Sequence, residues 1–378
     1  MSAHHTDLSM SRRTALFLLP WLWAMAAQAP AQPILPTDDA QIIERLPPAS
    51  STSNNSDPAS ATRDAMALLD EARRQGDPRL AGRALARLAR WQSDAKADPA
   101  LVIALASAEQ YIHQFDKAIV RLMALLKRDP NQPQAWLMLA TLRRAQGRYG
   151  ESDAACAEVG RTTPPPYGPA CLAENQALRG EFDAARNTLL ALRARFASPG
   201  MRGWLSTTLA EMEQRAAKPE AAEAAWRDAL AADRDGYTLI GWADFLLEQG
   251  RPQEAYAALS AEARNDNVLL RLAIAARRAK RPEAAALHKE LRERFTLADL
   301  RPESSGHERE RALAALDLDD KPRAALALAK QNVSWQREPI DLLILARCAQ
   351  AAGDATAQSQ ARALAVQVGM VDLRRSGS

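Results

Sequence analysis

Histidines and one cluster of charged residues are the side chains of this sequence best suited to acid–base chemistry or metal binding. His113, His288 and His307 lie far apart, and none has a partner at a metal-ligand spacing. The most charged cluster, 307–311, precedes an apolar stretch, where its glutamates favour the start of a helix. The sequence has no phosphate-binding glycine loop and no nucleophile elbow. We therefore expect a protein that is not an enzyme, with no catalytic residues, no metal and no cofactor.

Two of the three cysteines could form a disulfide in an oxidising compartment. Cys156 and Cys171 are 15 residues apart and flank a short, proline-rich connection. Closing such a loop would stabilise the fold by on the order of 3 kcal/mol. The alternative is two independently buried thiols. Cys348 lies far from both and is expected to be buried without a partner.

A six-residue phrase recurs along the chain and sets the elements that position these side chains. It begins with a helix-breaking or small polar residue, has Phe, Tyr or Pro two places on, and a small residue three further. The clearest copies begin at His113, Gly147, Gly180 and Gly250, with Ala217, Lys280 and Asp320 starting looser ones. Copies around Gly147 are 34 and 33 residues apart. This period predicts a solenoid of stacked antiparallel helix pairs.

Composition agrees with an all-α fold. Apolar residues make up 47% of the chain but aromatic residues only 5%, so alanine and leucine supply the core. The sequence has no run of alternating β-branched residues that would indicate strands. A net charge of +3 gives no reason to expect nucleic acid as a partner.

The repeating units resemble the tetratricopeptide repeat. The unit 133–163 carries the resemblance best, with Trp136, Leu139, Ala140, Gly147, Tyr149 and the following Pro164 in register. The resemblance implies a right-handed α-solenoid of about nine helix pairs over residues 62–365. An irregular loop is expected near 297–306, where a proline- and serine-containing stretch lengthens one connection. The stretch 335–353 is also similar to exported bacterial repeat proteins.

The N-terminal residues have the pattern of a signal peptide. Arg12 and Arg13 precede an apolar stretch of about 13 residues, which is followed by Ala27-Gln28-Ala29. We expect a cleaved signal peptide at 1–29, although a cut after Ala31 fits almost as well; a membrane anchor would need ~20 apolar residues. Residues 30–61 are predicted to be a disordered or partly docked linker, and 366–378 a flexible tail. The mature protein should be periplasmic or secreted, without stable membrane insertion.

The resemblance also implies a partner-binding groove, lined by the first helix of each pair. Aromatic and arginine side chains there suit an extended peptide or a partner helix. The alternative for Tyr167, Trp204 and Tyr237 is that they only seal neighbouring pairs. The residues expected in this groove are Tyr111, Arg144, Tyr167, Glu174, Trp204, Tyr237, Asp244, Arg277, His307 and Arg347.

Three functions are compatible with such a solenoid. The first is a periplasmic scaffold or adaptor that binds a peptide or partner protein in its concave groove. The second is a permanent structural subunit or assembly factor of an envelope or secretion complex. The third is a small-ligand carrier or an enzyme, which would require a deep, closed pocket with perturbed carboxylates.

Overall fold

The computed structural model describes residues 57–75, 77–94, 96–300 and 307–375. These residues form eighteen α-helices and two short 3₁₀ helices, with no β-strand among them. The predicted signal peptide, 1–29, and residues 30–56 of the predicted linker lie outside the described residues. None of the described helices has the combination of length and apolarity needed to cross a bilayer.

The helices alternate between a first and a second helix of each pair. The first helices are α1 (Pro58–Gln75), α3 (Pro99–Tyr111), α5 (Pro133–Ala145), α7 (Tyr167–Leu178), α9 (Pro199–Arg215), α11 (Gly236–Glu248), α13 (Asp266–Arg278), α15 (Glu308–Asp317) and α17 (Pro339–Ala351). The second helices are α2 (Pro78–Leu88), α4 (Phe115–Arg128), α6 (Tyr149–Thr162), α8 (Phe182–Arg195), α10 (Pro219–Ala232), α12 (Pro252–Leu259), α14 (Ala284–Asp299), α16 (Pro322–Asn332) and α18 (Ala355–Val368). The 3₁₀ helices are Ala89–Trp91 and Leu373–Arg375.

Packing follows the order of the chain, as expected of a solenoid. Each helix packs against the next except at the junction between α14 and α15, where Arg311 contacts Asp299 but the helices do not pack closely. Every first helix also contacts the first helix of the following pair, from α1 through α17. The first helices therefore form one continuous layer, which confirms the predicted all-α solenoid of stacked helix pairs.

The turn phrase owes its residue types to backbone conformation. Its first residue adopts a left-handed φ in the pairs beginning with α3 through α15, from 54° at Lys280 to 89° at Gly180. Glycine adopts this region without steric cost, which explains its frequency there. The left-handed residue ends the first helix, and the second helix begins two residues later at Phe, Tyr or Pro in most pairs.

The small residue of the phrase lies where the two helices of a pair cross. It is fully buried at Ala118, Ser152, Ala185, Ala222 and Ala255, as it is in most of the other pairs. A larger side chain there would push the helices apart. The copy beginning at Lys280 differs, because α14 starts later and the corresponding alanine is exposed.

The buried core divides into two clusters near the disulfide. One cluster extends from Ala61 to Cys171, and the other extends from Tyr149 to Met370. The Cys156–Cys171 disulfide joins α6 to α7 at this division, with a Cα–Cα distance of 5.5 Å. Cys348 is buried in the second cluster, and burial raises the pKa of its thiol to about 12.

Two segments after α16 return to the turns of much earlier pairs. We call these segments, 335–338 and 368–374, the return segments. In the first, Trp335 packs on the ring of His113 at 5.0 Å between centroids, and the Arg337 amide donates to the carbonyl of Ala145 at 2.7 Å.

In the second return segment, the Val371 amide donates to the carbonyl of Leu178 at 2.8 Å. The Arg374 guanidinium contacts the Glu248 carboxylate at 2.8 Å. The return segments thus contact the turns of the pairs that begin with α3, α5 and α7, and Arg374 reaches the end of α11.

Three predicted boundaries differ from the structure. The first helix begins at Pro58, inside the predicted linker, because Ala61, Ala65 and Leu69 form a buried stripe on α1. In the loop expected near 297–306, α14 continues to Asp299, and residues 301–306 lie outside the described residues. The predicted flexible tail, 366–378, is instead ordered over 366–375, because Met370 is buried and Val371 is hydrogen-bonded.

Candidate functional site

The candidate site is the layer of first helices, which carries nearly all of the predicted groove residues. Nine of the ten lie within first helices, and His307 occupies the N-cap position of α15. The structure therefore places them on one layer, but it distributes them along the whole solenoid.

Hydrogen-bonded and charged pairs link successive first helices. Arg144 of α5 contacts Glu174 of α7 at 2.9 Å. Further along, the Tyr237 hydroxyl of α11 donates to a Glu211 oxygen of α9 at 2.6 Å. Each of these two residue pairs joins neighbouring repeats. The side chains therefore stabilise the stacking of the repeats as well as line the layer of first helices.

The same pattern continues into the last repeats. Arg271 of α13, which is 4% exposed, contacts Asp244 of α11 at 3.0 Å. Asp317 of α15 receives Arg347 at 2.9 Å, and its backbone carbonyl accepts from Arg277 at 2.9 Å. The predicted Arg144, Glu174, Asp244, Arg277 and Arg347 thus all have partners within the chain.

The predicted aromatic residues fall into two groups. Tyr111 belongs to the structure of the first repeats, because its hydroxyl donates to the carbonyl of Ala72 at 2.7 Å. Tyr167, Trp204 and Tyr237 instead occupy the same position in three successive repeats. Tyr167 and Trp204 stack at 5.9 Å, with their rings inclined by 30°. The exposed fraction is 39% for Tyr167 and 67% for Tyr237, so their rings remain available for contact.

A cavity of about 210 Å³ lies between the layer of first helices and the start of α17. Its cationic lining is Arg144, Arg215, Arg271, Arg309 and Arg374. Its carboxylates are Glu174, Glu211, Asp244 and Glu338. Its apolar surface includes Leu178, Trp226, Ile240, Pro339 and Ile340. The cavity is charged but only partly enclosed, whereas the small-ligand or enzyme alternative was expected to require a deep, closed pocket.

The surroundings of Glu211 shift the pKa values of two groups that line this cavity. Burial raises the pKa of the Glu211 carboxyl to about 6. The nearby Glu211 charge is the largest cause that raises the pKa of the Tyr237 hydroxyl well above its usual value. The hydroxyl therefore remains a hydrogen-bond donor at neutral pH.

Sequence reasoning identified Arg144, Glu174, Tyr237 and Asp244 of this cavity, and it missed most of the rest. Arg215 is the last residue of α9, one of the first helices from which the groove was predicted, so the spacing of the repeats could have found it. Arg309 and Arg374 come from the last part of the chain. Their approach depends on the return of that part to the middle repeats, for which the repeat pattern contains no signal.

Comparisons with known proteins found only distant similarity. No protein-family model and no curated protein matches the sequence. Among solved structures, Pseudomonas aeruginosa PilF is 17% identical with a TM-score of 0.38, covering 52% of this chain and 90% of its own. A human IFIT1 dimer with PPP-AAAA is 12% identical with a TM-score of 0.48, covering 82% and 73%. A tetratricopeptide repeat protein from Parabacteroides merdae is 12% identical with a TM-score of 0.38, covering 76% and 98%.

These similarities are too distant to bear on function. The fold rests on the chain's own geometry: helix pairs in sequence order, a left-handed residue at most turns and a small buried residue at most crossings. By these features, the chain is a tetratricopeptide-like α-solenoid.

Proposed function

We propose that the protein is a non-catalytic interaction scaffold that binds an extended peptide segment of a partner protein. The observation that carries the proposal is the row formed by Tyr167, Trp204 and Tyr237, which we call the aromatic row. Three successive first helices present these rings at the same position of the repeat.

Ring geometry supports this role. Tyr167 and Trp204 hold each other by stacking, and the hydrogen bond from Tyr237 to Glu211 restrains the third ring. Restrained aromatic side chains lose little entropy on binding and are frequent binding hot spots. The exposure of Tyr167 and Tyr237 distinguishes these two rings from residues that only fill the joints between repeats, whereas Trp204 is partly buried against the core. The covered turn edge leaves the helix-start edge, where the aromatic row lies, as the better approach for a partner.

The proposed location is the periplasm or the extracellular space. The proposal is supported by the signal-peptide pattern at 1–29 and by the Cys156–Cys171 disulfide, since disulfides persist in oxidising compartments. The net charge of +3 gives no electrostatic reason to propose a nucleic acid as the partner.

A permanent subunit of a larger complex is the second candidate, and a different surface favours it. Val120 and Met123 lie about one turn apart on α4, a second helix, and are 69% and 48% exposed. Neighbouring exposed apolar side chains on a second helix suit a lasting interface.

Cross-linking pull-down from intact periplasm separates the two candidates. The variants Tyr167→Ala and Trp204→Ala remove the two rings of the aromatic row that lie outside the cavity. The double variant Val120→Ser and Met123→Ser removes the exposed apolar side chains of α4. We expect the row variants to lose the partner recovered with wild type, while the α4 variant retains it. Circular dichroism should show unchanged helix content in all of them. Loss of the partner only in the α4 variant would contradict the proposal and favour a permanent subunit.

A further inference from the structure

Arg215, the last residue of α9, is a buried cation with no described partner. Its exposed fraction is 6%, it has no described hydrogen bond or ion pair, and its Nε lies buried without an acceptor. An isolated charge in a protein interior is strongly unfavourable unless something compensates it. The compensation must therefore come from the surroundings of this guanidinium.

The other four arginines of the cavity differ from Arg215, because each has a carboxylate partner in the chain. Arg144 contacts Glu174, and Arg271 contacts Asp244. The remaining two contacts join Arg309 to Asp341 at 2.6 Å and Arg374 to Glu248 at 2.8 Å. Arg215 is the one lining arginine without a described hydrogen bond or salt bridge, although the charges of Glu211, Asp372 and Glu174 act on it.

The carboxylate nearest in sequence, that of Glu211, acts on Arg215 through its charge but forms no described hydrogen bond or salt bridge with it. Glu211 lies one helical turn before Arg215 on α9, but its described hydrogen bond is with the Tyr237 hydroxyl. Glu174 and Asp244, two of the four carboxylates that line the cavity, are already paired with Arg144 and Arg271. A bound monoanion would supply the hydrogen-bond acceptors that Arg215 lacks. A dianion would place excess negative charge beside Glu174 and Glu211.

The rest of the lining suits an organic molecule. Trp226, Ile240 and Ile340 contribute apolar surface, and the indole Nε1 of Trp226 is a second buried donor without a partner. The volume of about 210 Å³ exceeds the roughly 150 Å³ of an apolar cavity that accommodates benzene. A carboxylate with a ring or a short chain would fit both the volume and the chemistry of this lining.

We propose that the cavity binds a small organic monocarboxylate, with its carboxylate on Arg215 and its apolar body against Trp226 and Ile340. A guanidinium presents paired N–H donors that match the two oxygens of a carboxylate. This site borders the aromatic row at Tyr237, which lines the cavity, but Arg215, Trp226 and Ile340 are not among the rings of the row.

Titration calorimetry on the mature chain tests this site with defined probes. Benzoate and hexanoate are the carboxylates, benzamide is the neutral counterpart of benzoate, and phenyl phosphate is the dianion. We expect one benzoate or hexanoate to bind per chain, weaker binding of phenyl phosphate, and no detectable binding of benzamide. The variant Arg215→Met should weaken carboxylate binding at least about thirtyfold. The matched control Arg292→Met, which removes an exposed arginine of α14, should leave it unchanged.

The melting temperature without ligand separates a binding role from a structural one. Arg215→Met removes a buried charge that has no described hydrogen bond and retains helix propensity, so it should melt at or above the wild-type temperature. Lower melting of this variant, with no carboxylate binding by wild type, would overturn the proposal. Equal affinity of wild type and Arg215→Met, or tighter binding of phenyl phosphate than of benzoate, would also overturn it.

Discussion

Gly147 lies in the turn of the third pair, where the backbone is left-handed and Val368 approaches from the end of α18. Its φ is 74°, and a Cβ added there would lie 2.8 Å from a γ-carbon of Val368. Gly250 occupies the same position of the sixth pair, with a φ of 69° and no other atom within 4 Å of an added Cβ. The two glycines therefore share a backbone conformation but differ in their neighbours.

The variants Gly147→Ala and Gly250→Ala separate backbone strain from contact with the return segments. Both substitutions should lower the stability of the folded state by about 1–2 kcal/mol, because an L-residue disfavours the left-handed region. Gly147→Ala should lower this stability by a further ~1–3 kcal/mol, because Val368 must move. This second contribution should appear as loosening of the return segments.

Hydrogen exchange detected by mass spectrometry suits this comparison, because it reports the local opening of the return segments separately from the unfolding of the rest of the chain. The informative amides are those of Arg337 and Val371, which donate to carbonyls of Ala145 and Leu178. In Gly147→Ala their exchange should accelerate about five- to hundredfold, in line with ~1–3 kcal/mol. In Gly250→Ala it should remain as in wild type. Equal acceleration in both variants would show that Val368 does not pack on this turn in solution.

Three further changes test other parts of the structure. Ala217→Gly relieves a left-handed alanine, with φ 55°, and should raise the unfolding free energy by about 1 kcal/mol in denaturant titrations; a loss of stability would contradict the assigned turn. Replacing Cys156 and Cys171 by alanine should lower the unfolding free energy by on the order of 3 kcal/mol and accelerate hydrogen exchange in α6 and α7. An unchanged denaturation midpoint would exclude the disulfide in solution. Burial lowers the pKa of His113 from 6.5 to about 4, so the folded state disfavours its protonation and wild type should lose stability as pH falls through this window. His113→Asn retains a residue suited to the left-handed turn, and its melting temperature should fall less between pH 7 and pH 4; parallel pH profiles would disprove this assignment.

The repeat pattern predicted the local architecture because each of its residue types has a local physical cause. Gly147 and Gly180 provide left-handed turns, and Ala185 and Ala222 provide close helix crossings. These requirements act within one pair of helices, so a single sequence displays them at a regular spacing. The all-α solenoid and the layer of first helices followed from them.

The contacts of the return segments could not be predicted in the same way. Val371 pairs with Leu178, and Arg374 with Glu248, across more than one hundred residues of chain. Such contacts depend on the rotation accumulated from repeat to repeat, which the turn phrase does not specify. The predicted flexible tail was wrong over 366–375 for this reason, since its few apolar residues gave no local sign of a docking surface.

The candidate groove changed in a similar way. Arg144 and Arg277 were expected to face a partner, but both form contacts between repeats. Their substitution would therefore affect stacking as well as binding. The aromatic residues Tyr167 and Trp204 give cleaner tests, because they contact each other and remain partly exposed.

Site-specific photo-cross-linking in intact periplasm most directly tests binding at the aromatic row. A photoreactive phenylalanine derivative would replace Tyr167 in one variant and Val120 of α4 in another, both of which are exposed in the wild-type chain. We predict that the partner cross-links at position 167 and not at position 120, and that a competing peptide from the cross-linked segment abolishes the product. Cross-linking at position 120 alone would contradict binding at the aromatic row.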